Sequence, residues 1–507
     1  MPYIKMVSDK KELKVPDYLQ RTLKVFTLLL ALYFILVYFF ICLKRLNYPF
    51  ELEWMEGSIV DHVRQILRGK QIYIKPNLDF TPFIYNPLYY YVSALITIFT
   101  GIGFFPLRLI SFLAFLSSQF LIFIWIKRET KNYFPALLAT GVFAGSYPYS
   151  GAFFDVARVD SLFLFLLLLA VFKTRWIKNK KDALLSGILF TLAYFTKQQT
   201  LLVYPFLLVY LYWKGREYFS AFLSTTLIGM LGGSILLNYL SHGWFLFYTF
   251  YLPLHHPRLK EFLYLFWTKD ILKPFVLTLV LIAAWISLHL KKGKDRLSFY
   301  LCLGIGMFLS AWSSRMHTGG YINVLMPAHA ALAILFGLAI GELFNFTPVC
   351  RMHSSLHRSF LFLFILAQEI VLIKNPFVYL PTAKNIEEGL RFLNTLAKIP
   401  GEIYITEHGF IPLFIDKKPY AHYIALNDII RANPSHPAAL DLTKEITEFL
   451  KKQRFSAIVC NRPRFKKVGI EKYYQMQVIY LPNTPVGGNI IWPEIIYLPK
   501  KTPSAKQ

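Results

Sequence analysis

The 507 residues carry 55% hydrophobic side chains gathered in repeated apolar runs, a pattern that excludes an ordinary soluble protein of several domains. The formal net charge of +26 argues against nucleic acid as a partner once its distribution is read, because Lys and Arg punctuate the gaps between apolar runs and cluster on no single segment. Cys42, Cys302, Cys350 and Cys460 are scattered and give neither a disulfide framework nor a metal knuckle.

A basic stretch (Lys5, Lys10, Lys11, Lys14, Arg21, Lys24) precedes an apolar run over 23–43. That run is too long for a signal-peptide core and has no small-residue cleavage site, so it reads as an uncleaved first span. With residues 1–22 cytoplasmic, basic clusters should recur at every second gap. They do, at Lys127, Arg128 and Lys131, at 173–181, at Lys214 and Arg216, at 291–296, and at Arg351 with Arg358. This alternation requires the moderately apolar stretch 88–101 not to cross, and it reads as an interfacial or re-entrant helix. The expectation is a polytopic α-helical membrane protein with about eleven transmembrane helices, near 23–43, 106–126, 133–150, 161–174, 182–196, 200–213, 218–239, 271–290, 297–313, 321–341 and 359–375. An odd number of spans places residues 376–507 outside the cytoplasm. There the apolar runs shorten to strand length around a helical pattern at 442–453, as expected for a small soluble α/β domain.

The polar groups sit in the gaps assigned to the outer side. The first outer loop, 44–105, contains Glu51, Glu53 and Glu56, then the aromatic stretch Tyr85–Tyr91. On a helix starting near Glu56, at 100° per residue, Ile59, Val60, Val63 and Leu67 lie within about 60° of that carboxylate. Glu56 therefore points with the apolar stripe. Two readings are open: a helix-start acid satisfying free backbone N–H groups, or a functional carboxylate. Glu53 is a candidate helper and Asp61 reads as solvated. Asp155 and Asp160 bracket Arg158; Asp160 can cap a span, and Arg158 can neutralise its neighbours. Lys197 interrupts an apolar helix end, and Arg315 stands in a Gly-containing loop with His317 and Tyr321. These cations suggest a cradle for phosphate, with snorkelling and loop capping as the plain alternatives. His255 and His256 lack a further ligand at zinc spacing, so no metal is assigned; a divalent ion is possible but unsupported.

The order of Trp54-Met55-Glu56-Gly57, Gly69, Tyr73 and Pro76, then Tyr85-Asn86-Pro87-Leu88-Tyr89-Tyr90, Ala157-Arg158-Val159-Asp160-Ser161-Leu162 and Thr196-Lys197-Gln198 resembles the GT-C superfold of membrane glycosyltransferases. The resemblance is to bacterial relatives of the protein O-mannosyltransferase and lipid A aminoarabinose transferase families. It covers 23–199 best and, through the 315–327 segment, extends to the whole membrane part. It implies a GT-C-like bundle with interfacial helices in the first outer loop, in the bacterial inner membrane. By the same resemblance Glu56 and Asp160 match the two acidic positions, but Met55 stands where relatives often have Asp, which leaves the base open between Glu56 and Glu53. The implied donor is a polyprenyl-phosphate sugar and the implied acceptor a lipid, glycan or protein of the envelope, without a cofactor. Arg158, Lys197 and Arg315 would stabilise the departing phosphate, and His317, Tyr321 and Tyr85 would help bind substrate. The competing expectation is a transporter or lipid flippase, which calls for mid-span charges, of which this sequence has few, and for related halves, which are not evident in it.

Overall fold

The structure is a computed structural model and describes residues 16–290, 294–345, 354–478 and 493–500. The expected basic segment at 1–15, Arg351 and the tail 501–507 lie outside the described residues. Helix α1 (Asp17–Leu46) has 30 residues. At 1.5 Å rise it is ~45 Å long, more than the ~30 Å hydrocarbon core of a bilayer. The loop after it holds α2 (Glu56–Leu67) and α3 (Leu88–Thr100). The bundle continues with α4 (Phe104–Thr130), α5 (Tyr133–Gly145), α6 (Asp160–Arg175), α7 (Lys180–Thr196), α8 (Tyr204–Lys214) and α9 (Arg216–Leu240). It closes with α10 (Phe262–His289), α11 (Asp295–Met316), α12 (Ile322–Leu343) and α13 (Ser354–Leu372).

All the predicted spans are helical, but they differ in length. Among the described residues, 6 helices (α1, α4, α9, α10, α11 and α12) are long and apolar enough to cross a membrane alone. The helix pair Leu356–Leu372 and Pro376–Ala397, bent by 43°, would make 7 if it is one span. Helices α5 to α8 fall short of the ~20 residues a span needs and pack among the longer ones. The 13 residues of α3 rise only ~20 Å, too little to cross.

The bundle is organised around α12, whose apolar window is 100% buried. Ala328, Ala330, Ala331, Ala333, Gly337, Ala339 and Gly341 make it narrow. In lipid, where apolar burial does not drive helices together, such small residues let backbones close in and gain dispersion contact. A Cβ on Gly337 would stand 2.8 Å from the Ala139 Cβ, and one on Gly341 only 2.4 Å from the Thr130 methyl. The same device joins α1 to α5, where a Cβ on Gly141 would lie 2.5 Å from the Ala31 Cβ and 2.7 Å from its Cα.

At one end of the bundle the basic gaps meet. Arg175 pairs with Glu129 at 2.7 Å and Asp295 at 3.1 Å, Arg296 reaches Glu129 at 2.9 Å, and Lys214 stands 3.8 Å from Asp295. The ends of α4, α6 and α8 and the start of α11 thus share one side, as the charge alternation predicts; Lys24, near the start of α1, stacks over Phe134 at the start of α5, so α1 begins on that side too and α3 adds no crossing between α1 and α4.

The C-terminal elements cover the other end. They comprise α14 (Ala383–Ala397), β1 (Ile403–Ile405), α15 (Tyr423–Ala432), α16 (Pro437–Lys451), β2 (Ala457–Cys460), β3 (Tyr474–Val478) and β4 (Ile495–Pro499). The sheet order is β1-β2-β4-β3, with β1 and β2 parallel and the other pairs antiparallel. This unit docks on the first loop: Phe410 packs edge-on to Phe104 at 5.3 Å, Phe414 lies 6.2 Å from Phe50, and Leu78 accepts from the Ala421 N–H at 2.8 Å.

Gly141→Ala forces α1 and α5 apart and is expected to lower stability by about 1–3 kcal/mol. Gly232→Ala, with open space around its new Cβ, is expected to be neutral or slightly stabilising. Thermal unfolding of the two variants in detergent checks this contrast.

Candidate active site

The loop end of the bundle carries buried carboxylates, each matched by a cation distant in sequence. Glu51 pairs with His408, Glu53 with Arg158 at 2.8 Å, Glu56 with Arg108 at 2.6 Å, Asp155 with Arg45 at 3.1 Å, and Asp160 with Lys197 at 2.7 Å. In these five pairs no partner is a sequence neighbour: Arg158 passes over Asp155 and Asp160 to reach Glu53. Unpaired charges at this depth would cost several kcal/mol each, so the pairing decides which of these groups stay ionised.

Glu56 is the most completely engaged. Its Oε1 accepts from Arg108 Nε at 3.0 Å and the Ala157 N–H at 2.6 Å. Its Oε2 accepts from Arg108 Nη2 and the Leu52 N–H, both at 2.6 Å. Burial by itself would raise the carboxyl, but Arg108 and the two backbone donors outweigh it and hold Glu56 below its usual value. The orientation along the apolar stripe, read from periodicity, is present, and the group it meets there is Arg108.

A cavity of about 600 Å³ opens beside this cluster, between the bundle and the sheet unit. Glu53, Tyr85, Arg158, Lys197, His317 and Tyr321 all line it. Glu53 accepts from Arg158 Nη1 and, at 3.2 Å, from the Met55 N–H; burial raises its carboxyl above the ordinary glutamate value against the pull of Arg158. Arg158 also donates to the Tyr85 hydroxyl at 2.7 Å. Lys197 spans from the cavity to Asp160, which additionally accepts from Asn323 Nδ2 at 3.0 Å. His317 Nε2 shares a hydrogen bond of 3.0 Å with His256 Nδ1, and burial together with Arg431 lowers His317 to about 4, so it is neutral near pH 7.

Glu56, Asp160 and Arg315 stand behind the cavity wall instead of on it. Arg315 donates to Asp270 at 2.8 Å and to the Gly320 carbonyl at 2.6 Å, and stacks 3.9 Å from the Phe262 ring centre, so it braces the glycine loop. Asp61 is not solvated: it is buried, bonds Arg64 at 2.8 Å and lies under Gly409, whose Cβ would meet its Oδ2 at 2.3 Å. Of the aromatic stretch, Tyr89 and Tyr90 are core residues and Tyr91 alone is exposed. Among the described residues no group of three His, Cys, Asp or Glu side chains is placed to hold a metal ion.

The sheet unit supplies wall residues that no sequence signal pointed to: Asp428, Arg431, Asn461, Arg462 and Arg464. Asp428 is buried, pushed up to about 7 by desolvation against the pull of Arg431 at 2.5 Å.

Glu56→Gln leaves Arg108 as an uncompensated buried charge and is expected to cost about 3–5 kcal/mol. Because the folded Glu56 carboxyl lies below its unfolded value, its stabilisation is present above about pH 4.3 and lost as pH falls through the folded pKa. Thermal melts between pH 3 and 7 should therefore show the wild type losing more stability on acidification than Glu56→Gln.

No curated protein sequence matches the chain. The sequence profile of the family described as dolichyl-phosphate-mannose-protein mannosyltransferase matches residues 82–241. Among solved structures, ArnT from Cupriavidus metallidurans bound to undecaprenyl phosphate aligns with a TM-score of 0.57 and 12% identity, over 92% of this chain and 97% of ArnT. The apo oligosaccharyltransferase of Archaeoglobus fulgidus aligns with a TM-score of 0.52 and 11% identity, over 94% of this chain and 75% of that one. At such identities the likeness is one of fold, and it takes in bundle and sheet unit together. The chain is a polytopic membrane protein with the GT-C glycosyltransferase fold, the architecture that the order of its sequence motifs predicts.

Proposed function

We propose that the chain is an integral membrane glycosyltransferase that moves a sugar from a polyprenyl-phosphate donor to an envelope acceptor by one inverting displacement. The observation that carries this reading is the placement of Glu53 on a cavity whose other charged groups are mainly cations, at the loop end of a GT-C bundle. The match of residues 82–241 to a mannosyltransferase family and the undecaprenyl phosphate held by ArnT support the choice of donor. The loop end faces away from the cytoplasm of a bacterial inner membrane, with the amino terminus inside and the sheet unit outside, in keeping with the positive-inside rule.

The donor already carries a good leaving group, since a phosphate is a stabilised anion. What the reaction lacks is an activated nucleophile. Glu53 takes the proton of the acceptor hydroxyl as its oxygen bonds to the anomeric carbon; the anomeric C–O bond breaks and its electron pair leaves on the phosphate. Arg158 and Lys197 counter the charge that grows there, in a wall where hydrogen bonds hold them ready. A single in-line step inverts the anomeric centre. Asp160 holds Lys197, and Glu56 fixes the loop that presents Glu53. Tyr85, His317 and Tyr321 shape the sugar end of the cavity. Transport fits less well, because α12 fills the centre of the bundle where a path would run.

With purified protein, radiolabelled polyprenyl-phosphate sugars and an envelope extract, Glu53→Gln is expected to lose at least ~100-fold in transfer when assayed below its own melting transition, which falls because Arg158 loses its buried partner. Equal product from both proteins would remove Glu53 as base. The base must be ionised, and burial raises its pKa, so wild-type transfer is expected to fall on acidification with a midpoint above the ~4.3 of an ordinary glutamate. A pH–rate profile checks this.

A further inference from the structure

The cavity holds more positive charge than its carboxylates balance. Four of its cations are matched: Arg158 by Glu53, Lys197 by Asp160, Arg431 by Asp428 and Arg464 by Glu407. Arg258 and Arg462 also line it, and among the described residues neither guanidinium has an ion-pair partner. They reach it from separate parts of the fold, Arg258 from the bundle loop before α10 and Arg462 from the turn after β2.

Both stand on fixed backbone. Arg258 forms a bridge with His317, flanked by hydrogen bonds from the Leu259 N–H to the Met316 carbonyl at 2.7 Å and from the Thr318 N–H to the Pro257 carbonyl at 3.1 Å. The turn carrying Arg462 is pinned on both sides: Glu407 accepts from the Asn461 N–H at 3.1 Å and from Arg464 at 2.5 Å, and Arg464 stacks 4.3 Å from the Tyr423 ring centre. His408 ties the same turn to the membrane loop, sharing a 2.8 Å hydrogen bond with Asn461 while pairing with Glu51. The Glu407-His408 pair after β1 thus positions this wall of the cavity.

Two exposed guanidiniums that line one cavity, stand on hydrogen-bonded backbone and have no ion-pair partner among the described residues are each free to take a planar oxyanion. The donor brings one phosphate, which Arg158 and Lys197 serve next to Glu53. Resting on the glycosyltransferase reading, we propose that Arg258 and Arg462 form a second anion subsite that holds a phosphate or carboxylate borne by the acceptor.

The test uses the full chain in detergent, saturated with undecaprenyl phosphate and titrated with radiolabelled glucose 6-phosphate or glucose. Glucose 6-phosphate is expected to bind saturably and at least tenfold more tightly than glucose, with the difference shrinking as salt is added. In the Arg258→Gln, Arg462→Gln double variant the two ligands should bind alike; both side chains are exposed, so folding is not at stake, and Arg462→Lys should keep part of the preference. Three results overturn the proposal: no saturable binding, equal binding by wild type and double variant, or one-for-one competition with undecaprenyl phosphate, which would put the anion in the donor's place. Absence of transfer from every polyprenyl-phosphate sugar would count against the glycosyltransferase reading itself and is seen in a separate assay.

Discussion

The loop end of the molecule depends on one buried ion pair, Glu56 with Arg108. Arg108, fully buried on α4, spends its remaining donors on the Arg45, Tyr48 and Phe50 carbonyls, at 3.2, 2.6 and 2.6 Å. Glu56 in turn accepts the Leu52 and Ala157 N–H groups. Two side chains thereby join the end of α1, the first loop, α4 and the loop before α6. The irregular backbone there would otherwise leave polar groups unsatisfied inside protein. Glu53 lies three residues before Glu56, on the segment that this clamp immobilises, so its direction into the cavity follows from the clamp.

Around that join the carboxylates divide by what stands opposite them. Glu56 is fully coordinated and fixed, whereas Glu53 has one guanidinium and one N–H and faces the cavity. Asp160 lies off the cavity and bonds Lys197, which lines it. Preorganised donors in a site with little water are worth far more than the same groups in solution, and the proposed role of the paired cations Arg158 and Lys197 draws on this.

The bundle was readable because apolar runs and basic gaps are local signals, and the placement of α3 followed from the alternation of charge. The direction of Glu56 was readable as well, since periodicity reports the face a side chain takes. It does not report what lies across that face. Arg108 stands on another helix, and its partnership with Glu56 could not be inferred from spacing. Arg315 read as a phosphate ligand because a cation in a glycine loop beside a histidine has that pattern, but Asp270 and the Gly320 carbonyl occupy it. Asp428, Arg258 and Arg462 gave no signal because their meaning depends on how the sheet unit docks, which no local pattern encodes. The Glu407-His408-Gly409 turn likewise takes its role from the docking: His408 meets Glu51 and Gly409 closes on α2.

The most direct measurement is the structure of the full chain with undecaprenyl phosphate bound. The phosphate is predicted to lie in the cavity against Arg158 and Lys197, with the Glu53 carboxylate on the side where an acceptor hydroxyl would approach. A phosphate seated away from this cavity, or one contacted by Arg315 while Arg158 keeps only its bonds to Glu53 and Tyr85, would contradict the account.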